Sequence, residues 1–344
     1  MNMRFEWWSL KYLGSLVLGA WCFSHVACAA TNAGVQISQL PDRLRVEING
    51  ALFIEYHFAT NLAQPFYYPF IGPGGAAMTR DWPMKDTPGE EHDHPHHRSL
   101  WFAHGEVNGV DFWTEGQGKG RIVHAGFDEI KSGNDAGIIK SRDNWTASDG
   151  KIICTDERTF RIHNRTGGER LIDFEITLHA VNGELKLGDT KEGTMAVRIA
   201  ETMRLKKFVP KGQKPIPGDG HIVLRTGLRD AEAWGKRAAW CDYHGPVNGK
   251  TVGIAIFDHP QNPRHPTWWM VRDYGLFAAN PFGQHEYEKT ADPNAGDLTI
   301  PAGKSVTFRY RFLLHAGDEQ QGRVAERYAE FVGDDVRSLK SNRP

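Results

Sequence analysis

The chain of 344 residues has no excess of charge: 41 Lys and Arg stand against 42 Asp and Glu, a formal net charge of −1. Nucleic acids and anionic membranes are bound through clustered cations, so this balance gives no electrostatic basis for either partner. Cysteine is scarce. Of four, only Cys154 and Cys241 lie beyond the first thirty residues, so no disulfide framework builds this fold. Both lie in strand-like segments, where they either pair or act as small buried hydrophobes. No Gly-x-Ser-x-Gly elbow, Walker loop, Cys-x-x-Cys or His-Glu-x-x-His is present. Their absence removes the nucleophile-elbow, P-loop and zincin signatures. No period repeats along the chain.

Long apolar runs are also missing. The one candidate, Tyr12 to Val26, is broken by Ser15, Ser24 and His25 and falls short of the roughly 20 residues that span a bilayer. It follows Arg4 and Lys11 and ends in Ala27-Cys28-Ala29-Ala30. A basic start, an apolar middle and small residues at the end predict a secretory signal over residues 1–29. The mature chain, 30–344, is then expected to be a single β-sandwich domain without a membrane span, periplasmic or extracellular. A lipoprotein anchor at Cys28 ranks second, because His25 stands where such signals carry Leu.

Strand signals dominate what remains. Leu44, Val46 and Ile48 alternate with charged residues; Ile172, Phe174, Ile176 and Leu178 alternate with Asp173, Glu175 and Thr177, and Val306, Phe308, Tyr310 and Phe312 with Thr307, Arg309 and Arg311. Period-two alternation buries one face of a strand and wets the other. Less regular strands are expected at 51–58, 121–130, 137–146, 151–163, 194–204, 236–243, 251–257 and 276–280, with turns at pairs such as Asn49-Gly50 and Asn182-Gly183. One amphipathic helix is predicted over Glu319–Phe331, with Val324, Ala325, Tyr328 and Phe331 on one side. Together these predict an all-β fold: a large antiparallel β-sandwich with one C-terminal helix. Residues 60–120 and 258–296 break the strand rhythm and read as long functional loops.

The chemistry should lie in those loops. Five of the sixteen histidines fall between His92 and His104. Imidazole titrates near neutrality and suits acid–base work, with a guanidinium such as Arg98 to steady developing negative charge. Imidazole is also a common transition-metal ligand, and some of these rings could serve only to pin the loop. The aromatics that follow, Trp101, Phe102, Phe112 and Trp113, stand among Asp111, Glu106 and Asn108. Flat apolar faces beside carboxylates and amides suit a sugar, though the same rings would also serve as core. The second loop offers Asp258, His259, Arg264, His265, Trp268 and Trp269, and a third segment Asn280, His285 and Glu286. Arg80 is a further pocket residue.

Three motifs stand out: His-Pro-His-His-Arg-Ser-Leu-Trp-Phe-Ala-His-Gly-Glu-Val-Asn-Gly-Val-Asp-Phe-Trp (94–113), Phe-Asp-His-Pro-x-Asn-Pro-Arg-His-Pro-Thr-Trp-Trp (257–269) and Gly-Leu-Phe-Ala-Ala-Asn-Pro-Phe-Gly (275–283). Across most of the mature chain the sequence resembles a family of secreted bacterial proteins named "methane oxygenase PmoA". The resemblance implies an exported bacterial protein. The membrane subunit that the name evokes has spanning helices, which this chain lacks. An antiparallel sandwich with a His, Arg and aromatic cleft also looks like the galactose-mutarotase supersandwiches. The leading expectation is a carbohydrate-active enzyme of hydrolase, lyase or epimerase type that takes a small-molecule or oligosaccharide ligand. His97, His104, Arg98, Glu286 and Asp258 would be catalytic. Arg80, Trp101, Asp111, Trp113, Arg264, His265, Trp268 and Asn280 would hold the substrate. Two alternatives remain: a metal site (zinc, copper or iron) built from His94, His96, His97 and His285, of oxidative function, and a sugar-binding module without catalysis.

Overall fold

The computed structural model describes residues 33–341, so the expected export signal lies outside the described residues. The chain enters through β1 (Val35–Gln39), β2 (Arg43–Ile48), β3 (Ala51–His57), β4 (Phe66–Phe70) and β5 (Leu100–His104). It continues through β6 (Arg121–Lys131), β7 (Ala136–Thr146), β8 (Ile152–His163), β9 (Arg170–His179), β10 (Leu185–Leu187) and β11 (Gly193–Arg198). Then come β12 (Lys206–Lys207), β13 (Ile216–Pro217), β14 (His221–Leu224), β15 (Trp240–Val247), β16 (Lys250–Asp258), β17 (Trp268–Val271) and β18 (Leu276–Asn280). The short helix α1 (Gln284–Glu288), β19 (Leu298–Ile300), β20 (Ser305–Ala316) and helix α2 (Val324–Ser341) complete it.

Two eight-stranded antiparallel sheets carry the structure. The first runs β1-β2-β3-β4-β5-β11-β18-β17 and the second β14-β15-β16-β20-β9-β8-β7-β6. Their inner faces share one core: Phe102 of β5 meets Phe174 and Phe308 of the second sheet, and Tyr67 stacks on Phe160. The alternation read from sequence lands as expected, with Leu44, Val46 and Ile48 buried in β2 and Phe308, Tyr310 and Phe312 in β20. Each such side chain contributes roughly 1.5–3 kcal/mol by leaving water. The fold is the expected antiparallel sandwich.

The two long loops are not wholly loops. Residues 60–120 contain β4 and β5, and residues 258–296 contain β17 and β18. All five residues of β5 and all four of β17 are buried. A strand covered on both faces carries no alternation, so Leu-Trp-Phe-Ala-His and Trp-Trp-Met-Val give no period-two signal. The C-terminal helix starts later than expected, at Val324. Asp318 holds the amides of Gln320 and Gln321 at 3.0 and 2.8 Å, which keeps residues 318–323 in turns. Val324 and Phe331 are buried against the outer face of the second sheet, with Tyr328 packed beside them, whereas Ala325 is exposed. Helix α1, which the pattern did not predict, is a single turn. Cys154 and Cys241 are separate buried thiols, each pushed well up in pKa by burial.

Candidate functional site

Side chains alternate along β5. Phe102 points into the core, so Trp101 emerges on the outer face of the first sheet. There it meets Trp113 at 5.2 Å between rings, and His97 stacks on it at 5.3 Å. Next to this pair the loop 90–98 folds over the sheet. Its anchor is Arg80, fully buried, which donates to the carbonyls of Glu91, Asp93 and His94 and pairs with the Asp93 carboxylate. Arg198, at the end of β11, reaches the same Asp93 Oδ1 at 2.9 Å. Two guanidiniums thus clamp one oxygen, and the other accepts from His94 Nδ1 at 2.6 Å. Burial alone would raise the Asp93 carboxyl. The His94 hydrogen bond and the charges of Arg198 and Arg80 outweigh it, holding Asp93 well below the usual carboxylate range.

His94 itself adopts a left-handed backbone conformation at φ 37°, which the Arg80 bonds hold in place. Its ring stacks between Tyr274 (5.5 Å) and His97 (4.6 Å), and 43% of the side chain stays exposed. His97 is buried. An arginine can only donate, so the 3.2 Å contact from Arg198 to His97 Nδ1 places the imidazole proton on Nε2. That nitrogen, together with the indole N–H groups of Trp101 and Trp113, has no hydrogen-bond partner. Three neighbouring rings therefore present unused polar atoms in one small region. Burial first, then the neighbouring His96 and the Arg198 guanidinium, push His97 well below its ordinary pKa, and His96 falls to about 4, chiefly through burial. Asp111 and Glu115 oppose that shift in His96, which places both nearby. Glu192, just before β11, is part-buried. Desolvation raises its carboxyl against the pull of Lys191, Arg272 and His94.

The geometry thus gathers Arg80, His94, His96, His97, Trp101 and Trp113 on the outer side of the first sheet, with Arg80, His97, Trp101 and Trp113 buried beneath the loop. It adds Asp93, Glu192, Arg198 and Tyr274, which sequence reasoning did not select. Only Asp93, inside the histidine run, had a signal that could have found it. Arg98 sits at the edge in a bidentate pair with Glu115 (2.7 and 2.9 Å). Asp111 accepts the amides of Trp113 and Thr114 and pairs with Lys119 at 2.8 Å.

The remaining predicted residues sit elsewhere. His104 belongs to the core face of β5: its Nε2 donates to Gly188 O at 2.9 Å, its ring packs on Phe282, and burial lowers its pKa to about 4. Asp258 knots its loop, bonding Asn262, His265 and the Thr267 amide at 2.8–2.9 Å. Arg264 donates to the carbonyls of Pro281, Gly296 and Asp297. Asn280 donates to Thr190 O and accepts the Phe282 amide. Trp268 donates to Glu288 at 3.0 Å beneath Arg237. His285 on α1 bonds Thr290 O, and Glu286 faces Lys289 at 3.8 Å. Among the described residues, the ligand atoms that gather closely enough for a metal are those of Asp242, His244 and Glu319, away from the 92–104 run.

What the site offers is the half-exposed His94 imidazole, oriented by the ionised Asp93 carboxylate and stacked on Tyr274, above the buried rings of His97, Trp101 and Trp113. No helix of the described residues is long and apolar enough to cross a membrane.

No curated protein matches the chain in sequence. It is similar to several solved structures at low identity. One is a polysaccharide lyase, 12% identical with a TM-score of 0.32, over 85% of this chain and 34% of that one. Another is a family 97 glycoside hydrolase from Pseudoalteromonas sp. strain K8, 10% identical with a TM-score of 0.30, over 82% and 34%. A third is a galactose mutarotase related enzyme from Lactobacillus acidophilus, 7% identical with a TM-score of 0.29, over 83% and 97%. The chain thus spans about a third of the length of the first two. Over residues 43–329 the chain matches, and belongs to, a family of unknown function, DUF6807.

Proposed function

We propose that the protein is an exported enzyme that moves protons on a saccharide at the outer face of the first sheet. The observation that carries the reading is the Asp93–His94 pair. Asp93 accepts from His94 Nδ1 at 2.6 Å while Arg80 and Arg198 keep it ionised. That hydrogen bond fixes the tautomer, so the lone pair of the neutral ring sits on Nε2, the nitrogen that does not face Asp93. His94 is the general base in this reading. Glu192, a part-buried carboxyl that desolvation raises, is the general acid in this reading. Tyr274, part-buried beside the half-exposed His94 ring, offers an apolar face to sugar C–H groups, while the fully buried His97, Trp101 and Trp113 support His94 from beneath. His97 is thus a positioning residue, stacked against His94 and held by Arg198. The resemblance of the sequence motifs to a secreted family and the basic-apolar-small N-terminus support export.

The test is a panel of neutral and uronate oligosaccharides incubated with the untagged protein and read by mass spectrometry. A product from wild type that His94→Gln and Glu192→Gln each abolish is the expected result. Full turnover in both variants, or no product from wild type across the panel, would overturn the reading.

A further inference from the structure

A second cluster lies on the other sheet and takes no part in that chemistry. On β15, Tyr243 points into the core against Phe277, so Asp242 and His244 share the outer face. His221 of the edge strand β14 stands directly across from His244 in the ladder, with the rings 5.6 Å apart. Glu319 arrives from the turn that precedes α2. Three separate chain segments thus meet at one point, and it is a buried one: Asp242 is wholly covered, and the side chains of His244 and Glu319 are 7% and 10% exposed.

The orientation of the two carboxylates is informative. Asp242 Oδ1 lies 2.6 Å from His244 Nδ1, and Glu319 Oε2 lies 3.9 Å from the same nitrogen. Each carboxylate turns its second oxygen outward to a cationic partner. Asp242 Oδ2 accepts from His315 Nε2 at 2.7 Å, and Glu319 Oε1 is held by Arg229. One nitrogen and two oxygens face inward, all within 4.8 Å of one another, and their outer oxygens are already oriented. Metal centres are built this way, with an inner set of ligand atoms and an outer layer that aims them.

We infer that Asp242, His244 and Glu319 form a site for one divalent transition-metal ion, with zinc as the best match to a nitrogen-and-carboxylate donor set. Zinc–ligand distances near 2.0–2.2 Å need the three atoms to shift by less than about 1 Å from their present spacing. His221 or water completes the coordination. The ion ties the turn ahead of α2 to the edge of the second sheet. It is a different place from the histidine-rich run at 92–104, where sequence counting puts a metal.

The experiment is zinc titration of the untagged, chelator-stripped full chain by calorimetry, with thermal melting alongside. Wild type should bind one equivalent and melt at a higher temperature with zinc present, because a ligand that binds only the folded state stabilises it. Affinity should fall at least tenfold in His244→Ala and in Glu319→Gln, and stay unchanged in His96→Ala. Cobalt loading gives an independent reading on wild type alone: absorption bands of a low-symmetry nitrogen and oxygen site should appear. If His244→Ala melts early even without metal, Glu319→Gln decides. No zinc equivalent in wild type, full affinity in Glu319→Gln, or loss of binding in His96→Ala would each overturn the site.

Discussion

Arg198 donates to Nδ1 of His97 at 3.2 Å while its other nitrogen holds Asp93 at 2.9 Å, so one guanidinium sets both the tautomer of an imidazole and the charge of a carboxylate. The imidazole is left as a fixed donor that cannot take a second proton without facing that guanidinium. In nitrogen NMR at pH 6, His97 should show a protonated Nε2 and a bare Nδ1, and the pattern should persist well below the ordinary histidine titration. A His97 that becomes doubly protonated near its ordinary pKa would contradict the arrangement.

Asp93→Asn should be costly to stability as well as to turnover. Removing one partner of a buried ion pair strands the other charge, at roughly 3–5 kcal/mol. Asp93 is itself 20% exposed, which places the expected loss nearer about 3 kcal/mol. Urea melts at pH 7 measure it. An Asp93→Asn protein as stable as wild type would mean that Arg80 and Arg198 do not depend on that carboxylate.

Buried neutral histidines also set a pH trend. The His104 pKa is pushed down to about 4, so between pH 4 and the unfolded value near 6.5 the unfolded chain binds the extra proton. Stability therefore falls as pH drops below about 6.5, by roughly 2 kcal/mol between pH 7 and 5 from this residue alone. His104→Gln keeps a donor for Gly188 O and removes the titration. Its loss of stability on acidification should be smaller than that of wild type by about that amount, and equal slopes in the two urea series would refute the cause.

Cys154 and Cys241 should behave as inert thiols. Both are buried, and burial raises their pKa, which suppresses the reactive thiolate. Alkylation mapping by mass spectrometry should find both unmodified in the native protein and both modified in urea without any reductant. A disulfide-linked peptide joining them would show that they pair.

The sequence made some of this legible and hid the rest for physical reasons. Strands with one wet face, such as Arg43–Ile48 and Arg170–His179, announce themselves by alternation, and the antiparallel sandwich follows from them. The strand Leu100–His104 hides because both of its faces are covered. That concealment blurred the site too: His97 and His104 look alike in sequence, yet one lies over the outer face and the other in the core. Asp258, Arg264 and Asn280 have the composition of a pocket but spend their polar atoms holding their own and neighbouring loops together. Arg198, Tyr274 and Glu192 lie about a hundred residues or more from the histidine run, and only the pairing of β5 with β11 and of β11 with β18 brings them near it.

Gly253→Ala should be destabilising out of proportion to one methyl group. A Cβ at Gly253 would lie 2.4 Å from both Cε1 and Nε2 of His315, the ring that donates to Asp242 at 2.7 Å. No side chain fits without pushing that imidazole off a fully buried carboxylate, and the expected cost is roughly 2–4 kcal/mol. Its pH dependence identifies the cause. Burial lowers the His315 pKa, but Asp242 outweighs burial and leaves it raised. A raised histidine contributes stability that is fully present below its unfolded pKa and is lost as pH rises through the folded value. The gap between wild type and Gly253→Ala should therefore be widest below the unfolded value near 6.5 and narrow as pH rises through the raised folded value. Gly333→Ala, with nothing within 4 Å of its added Cβ, serves as the control and should be neutral or mildly stabilising in its helix. A Gly253→Ala gap that does not change with pH across the alkaline limb of the wild-type stability profile would assign the loss to backbone crowding alone and release His315 from that role.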